Sequence, residues 1–249
     1  MSQITEKLKQ NNNISELPET YFLLLEEAID KAIDLFGNNL LSITIGGSGG
    51  KGHIHIGWSD LDLFFILKEF EVEKIAKYNN LFNNEKIRLE STFYTLREVE
   101  KQMLNARTKI MVYEKNKYDL NPTVYGENYF SPVNYETIRH NDVSNLPSIL
   151  QIYKDIVYDL KNDKIELNII HIKKMLILLK CLLNRHNIFS FGYEEVLIKY
   201  SKLCSEFNFE GQNGFKIIKI IDDFENIKLY KEEIISFSED LFNFIYKYC

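Results

Sequence analysis

The stretch Ile45–Leu67, IGGSGGKGHIHIGWSDLDLFFIL, runs from a glycine-rich turn into a strand-like segment that carries two carboxylates. A strand sends alternate side chains to one face, so Asp60 and Asp62 are expected to point the same way while Leu61 and Leu63 enter a core. Two carboxylates held that close repel each other, and a divalent cation between them relieves the repulsion. Hard oxygen ligands of this sort suit magnesium, which can in turn bridge phosphates. Upstream, the apolar run Leu41–Ile45 ends at Gly46 and Gly47, which reads as a strand closing in a tight turn. Backbone amides around Gly47, together with the Ser48 hydroxyl, are suited to triphosphate oxygens.

Two commoner phosphate-binding patterns are excluded. A P-loop needs a glycine separated by four residues from Gly-Lys, and a Ser or Thr after it. Here those positions hold Ile45 and, after Lys51, Gly52. A dinucleotide fingerprint places a single acid about twenty residues on, at the end of a second strand. Asp60 and Asp62 are a pair and come too early.

What remains resembles the nucleotidyltransferases of the DNA polymerase beta superfamily, whose signature is Gly-Ser, a spacer, then Asp-x-Asp on a strand. Gly47-Ser48 and Asp60-Leu61-Asp62 match it, with Ser59 before the first aspartate. The family's third carboxylate lies on a following strand. In this chain Lys86–Thr95, KIRLESTFYT, has the right position, and Glu90 is its only acid, where the family usually has aspartate. The resemblance covers roughly the first 95 residues in motif and the remainder in layout. It implies an α+β architecture: an N-terminal mixed-sheet, palm-like nucleotidyltransferase domain over 1–130, then a C-terminal helical bundle over 131–249.

Composition agrees. The 249 residues suffice for one large domain or two modest ones, and 45% apolar with 27% charged residues is ordinary for a globular protein. No apolar run approaches the roughly 18 residues of a membrane span, and the start, MSQITEKLKQNNN, lacks a signal-peptide core, so a cytoplasmic protein is expected. Cys181, Cys204 and Cys249 lack metal-ligand spacing and read as free thiols. A net charge of −6 without a basic stripe argues against long nucleic acid and favours small or cationic acceptors.

In chain order, the asparagine-rich start is expected to fray to about Ser15. A helix follows over Tyr21–Phe36, with Pro18 in its first turn, Ser15 as its cap and Gly37 as its end. Strand Leu41–Ile45 and the glycine turn lead to strand Leu61–Leu67. Between them His53 and His55 read as exposed loop imidazoles and Trp58 as a packing residue. Helix Glu71–Phe82 and strand Ile87–Tyr94 come next, then helix Leu96–Leu104, with Thr95 and Glu98 as a capping box. A strand around Lys109–Tyr113 and a loop over Asn121-Pro122 to Gly126 close the domain. From Pro132 only helical patterns recur: Leu146–Leu160, Ile165–Arg185, Tyr193–Phe207, Phe215–Phe224 and Leu229–Tyr248. In the second of these, Leu167, Ile170, Lys174, Ile177, Leu178 and Cys181 form the expected bundle-facing stripe.

The resemblance implies nucleotidyl transfer. Asp60, Asp62 and Glu90 would hold Mg2+, with Glu90 alternatively the base for the acceptor hydroxyl. Gly47 and Ser48 would hold the β and γ phosphates of a nucleoside triphosphate, ATP being the expected one, and Lys180 of the helical half would touch a phosphate. The expected acceptor is a hydroxyl of a small molecule, such as an aminoglycoside-like antibiotic, which would make the chain a resistance enzyme. A protein- or tRNA-modifying enzyme of a toxin–antitoxin pair and a non-catalytic nucleotide-binding module are the competing readings.

Overall fold

The computed structural model describes residues 8, 11–83, 86–210 and 214–249. Its contacts divide the chain into two compact units, Met1–Tyr135 and Glu136–Cys249. The architecture is α+β, a mixed four-stranded sheet with helices followed by a helical region.

The first unit is built on strand β2 (Leu61–Leu67), all seven residues of which are buried. Such a strand must be covered on both faces, and the alternation of its side chains divides the core accordingly. Leu61, Leu63, Phe65 and Leu67 join the larger core, with Leu25, Ala28, Ile29 and Ala32 of helix α1 (Glu19–Phe36) and Tyr78 of helix α2 (Val72–Leu81). Phe64 and Ile66 join a smaller core on the opposite face, with Tyr94, Val99, Met111 and Val112. Strand β1 (Leu40–Gly46) pairs antiparallel with β2, and β3 (Leu89–Thr95) pairs with β2 in parallel after the α2 crossover. Strand β4 (Thr123–Gly126) pairs antiparallel with β1, giving the order β3-β2-β1-β4.

Several expectations are corrected. The N-terminal segment is ordered at least from Asn11, whose side chain caps a helical turn, Asn12–Ser15, and Ile14 is fully buried. Residues 1–7 and 9–10 of the stretch expected to fray lie outside the described residues. Ser15 therefore caps nothing downstream, and Pro18 is itself the residue before α1, its fixed φ fitting an extended entry. Helix α3 (Leu96–Glu100) carries the expected capping box between Thr95 and Glu98. Lys109–Tyr113 is not a strand but the middle of helix α4 (Ala106–Tyr118), because Asn105 caps the helix and Thr108, Met111 and Val112 bury one face of it. Thr123–Gly126 is a strand and not a loop. Gly126 ends it at φ +69, where a side chain would collide with the Leu41 carbonyl.

The regular structure of the second unit is helical throughout its described residues: α5 (Tyr135–Lys161, beginning on the last residue of the first unit), α6 (Ile169–Arg185), α7 (Tyr193–Glu206), α8 (Gly214–Asp222) and α9 (Lys231–Tyr248), with a 3-10 helix, Phe224–Tyr230, before α9. α5 starts eleven residues before the expected Leu146 and carries Pro147 inside it. The expected stripe on α6 is rotated. Ile170, Lys174 and Ile177 are exposed, and the buried face runs through Ile172, Met175, Leu176, Leu179, Leu182 and Leu183 with Leu178 and Cys181. Tyr200 of α7 meets Phe237 and Phe244 of α9 edge-on, and the Tyr153 hydroxyl of α5 hydrogen-bonds the Ser238 hydroxyl at 2.8 Å.

Candidate active site

Strand pairing brings the glycine turn and the acids together. Gly46, the last residue of β1, is the register partner of Asp62, and Glu90 on the parallel neighbour β3 is the partner of Asp62 on its other side. Gly47 turns the chain at φ +60, and a Cβ there would lie 1.8 Å from Asp62 Oδ2. Only glycine leaves room for the carboxylate, so the turn and the acid are built as one feature.

After Gly47, Ser48 is helical in conformation, and its carbonyl accepts from the amides of Lys51 (3.3 Å) and His53 (2.9 Å), closing the turn on itself. The Ser48 side chain makes no capping bond. The turn is also braced from behind. Lys51 Nζ donates to Glu114 Oε1 of α4 at 2.7 Å, Asn121 Nδ2 donates to Glu114 Oε2 at 3.1 Å, and the Asn121 amide donates to the Gly50 carbonyl at 2.8 Å. Lys51 is thereby committed to a buried ion pair beneath the turn.

The acids divide differently from the sequence expectation. Asp62 is on β2 and buried, and Glu90 is half-buried on β3. Asp60 is not on the strand but immediately before it, in a segment fixed by the Tyr21 hydroxyl, which donates to the Ser59 carbonyl at 2.9 Å. Asp60 is within electrostatic reach of both Tyr21, whose pKa burial and then Asp60 raise, and Asp62. Burial pushes the Asp62 pKa up to about 6; Arg107 draws it down, while Glu90 and Asp60 add to the rise.

Arg107, in the first turn of α4, spans the two strand-borne acids. Its Nη1 donates to Glu90 Oε2 and its Nη2 to Asp62 Oδ1. Burial opposes its charge, but the two carboxylates outweigh burial and raise its pKa. Arg88 meets the other Glu90 oxygen at 3.0 Å. The helix start is held by the Tyr94 hydroxyl, which accepts from the Asn105 amide at 3.1 Å and bonds the Thr108 hydroxyl at 2.9 Å, and by Asn105 Oδ1, which accepts from the Thr108 amide at 2.8 Å.

Among the described residues no three His, Cys, Asp or Glu side chains are grouped closely enough to hold a metal ion. Asp62 and Glu90 nevertheless converge on one cation, the guanidinium, and offer hard oxygens, so the pair fits a divalent ion. Beside Glu90, a groove of about 680 Å³ runs along β3 and the end of α2, lined by Asn79, Asn83, Arg88, Glu90, Ser91 and Thr92, with Phe82 and Leu89. Lys180 belongs to the second unit, half-buried on α6 within electrostatic reach of Asp142. His55 and Trp58 pack their rings at 5.5 Å. Arg107, Glu114 and Asn121 were not anticipated. Asn105, a good cap three residues before a Thr, was the available signal for the helix that carries the first two.

The chain is similar to the crystal structure of the spectinomycin adenyltransferase AAD(9) from Enterococcus faecialis with ATP and spectinomycin, with a TM-score of 0.52 and 14% identity. The likeness covers 86% of this chain and 99% of that one. It shows a shared fold. No protein-family model and no curated protein matches the chain. Among the described residues no helix is long and apolar enough to cross a membrane.

Proposed function

We propose that the chain is a nucleotidyltransferase that moves a nucleoside monophosphate from a triphosphate, ATP first among candidates, to a hydroxyl of a small molecule. The observation that carries this reading is the contact of the glycine turn with Asp62 while Glu90 stands level with it on the next strand. Phosphate-binding amides and phosphate-bridging acids must be adjacent for this chemistry, and here one residue's lack of a side chain makes them so. The neighbour of like fold contains ATP and a small-molecule acceptor, which supports the same pairing here.

In this reading Gly47 and Ser48 hold the β and γ phosphates, and Asp60, Asp62 and Glu90 hold Mg2+. Bound there, the ion supplies charge neutralisation at the reacting phosphate. Asp60, immediately before β2 and within electrostatic reach of Asp62, is the third carboxylate of this set. Glu90, at the wall of the groove, accepts the proton of the attacking hydroxyl. A groove of this volume is the size of a small-molecule site, and its amides and hydroxyls suit a polyhydroxylated acceptor. An aminoglycoside-like antibiotic acceptor, hence resistance, is the leading assignment and a cytoplasmic site the matching compartment.

The test is transfer of label from α-labelled ATP to a panel of aminoglycoside and related hydroxylated acceptors, with magnesium and with EDTA. Acceptor-dependent product that disappears in EDTA and in Asp62→Asn is the expected result. Tight ATP binding without turnover on any acceptor would favour the non-catalytic module instead.

A further inference from the structure

Helix α4 begins with a residue that its own electrostatics disfavour. The first turn of a helix carries partial positive charge and favours acids, yet the first turn of α4 has no acid and holds Arg107. The compensation comes from outside the helix. Each prong of the guanidinium takes one carboxylate, Asp62 and Glu90, on adjacent strands at the same register level. Without a cation, Asp62 would be a buried acid facing Glu90 and Asp60, an arrangement that repulsion and desolvation both penalise.

Arg107 is also placed to leave. Its side chain is 49% exposed, against 7% for Asp62, so it can exchange its carboxylates for water with little loss of packing. The backbone it hangs from is pinned by Asn105, Thr108 and Tyr94, so only the side chain need move. Because arginine does not lose its charge in proteins, departure must be by displacement and not by deprotonation.

We infer that Arg107 is a positioning residue: its guanidinium neutralises and aligns Asp62 and Glu90, and a divalent cation competes with it for the same oxygens. The inference rests on the metal reading proposed above and adds a residue to it.

The test is direct binding of Mn2+ alone, without nucleotide, followed by electron paramagnetic resonance on the full chain and on Arg107→Gln, Arg107→Ala and Arg107→Lys. The Gln and Ala variants should bind Mn2+ about tenfold more tightly than the parent, with a larger rise in melting temperature on adding the ion; Lys, which keeps the charge but not the two-pronged bond, should be intermediate. Low concentrations of free guanidinium should return Arg107→Ala toward the parent affinity, a rescue that a purely structural role would not give. Equal Mn2+ affinity in parent and folded variants overturns the inference and leaves nucleotidyl transfer standing. Absence of Mn2+ binding from all of them also overturns the inference, while nucleotidyl transfer is decided separately by the label-transfer assay with magnesium and with EDTA. If the Gln and Ala variants fail to fold, Arg107→Lys decides, and parent-like affinity in it counts against the inference.

Discussion

Lys51–Glu114 and Arg107–Asp62–Glu90 both tie helix α4 to the sheet end, seven residues apart along the helix, yet only the first is sealed from water. The side chains of Lys51 and Glu114 are 11% and 3% exposed, whereas Arg107 is 49% exposed over its two acids. A sealed pair cannot be separated without stranding a charge in the interior, so it serves as a fixed strut under the glycine turn. A pair open on its cationic side can dissolve and reform, because water takes up the released guanidinium. One helix face thus carries the permanent half of the site's charge balance and the exchangeable half.

Breaking the sealed pair should have the largest effect. Glu114→Gln leaves Lys51 uncompensated and is expected to cost about 3–5 kcal/mol of stability in urea unfolding. Replacing both partners, Lys51→Met with Glu114→Leu, should recover most of that loss. A mild single variant would erase the contrast between the two pairs. At the open pair the effect should fall on rate. Asp62→Asn removes a carboxylate whose ionised form is already disfavoured by burial, so its melting temperature should hold while transfer of label falls by about 10³-fold or more. Glu90→Gln should follow, with a loss of about 10²-fold in turnover and unchanged nucleotide affinity if Glu90 takes the hydroxyl proton. Loss of nucleotide affinity instead would make it a metal ligand first.

These residues were not equally legible. The core side of β2 could be read from Leu61 and Leu63, since alternation in a strand is set by backbone geometry alone. Glu90 was legible as the third acid through the family resemblance, whereas its standing level with Asp62 is a matter of strand register that the parallel pairing of β2 and β3 shows. The start of β2 at Leu61 agrees with the expected strand Leu61–Leu67, which leaves Asp60 just before it, in a segment held by the bond from Tyr21 to Ser59 that no local pattern announces. Helix α4 was misread because Ile110, Met111, Val112 and Tyr113 form an apolar run that suits either a strand or a helix; the Asn105 cap and burial of one face decide it. With the helix went the view of Arg107 and Glu114, whose partners lie 45 and 63 residues away in sequence. On α6 the stripe was misplaced because Ile170 and Ile177 are apolar yet exposed, and exposure is not a property of the residue type.

The smallest effect belongs to the Ser48 side chain at the front of the turn. Gly47→Ala would put a methyl group 1.8 Å from Asp62 Oδ2 and must displace one of them, so Ser48 is the cleaner probe. Its carbonyl is used in closing the turn, but its side chain makes no capping bond, and Ser48→Ala should therefore leave the turn and the stability unchanged. If the hydroxyl instead meets a charged phosphate oxygen, the loss is that of one charge-assisted bond, about 1–2 kcal/mol, or roughly tenfold in the KM for triphosphate. The turnover number should move less than KM, since the bond is made to the bound substrate before reaction as well as during it. Parent-like KM in Ser48→Ala would put the phosphates on the backbone amides alone, and a fall in stability would show that the front of the turn is as structural as its back.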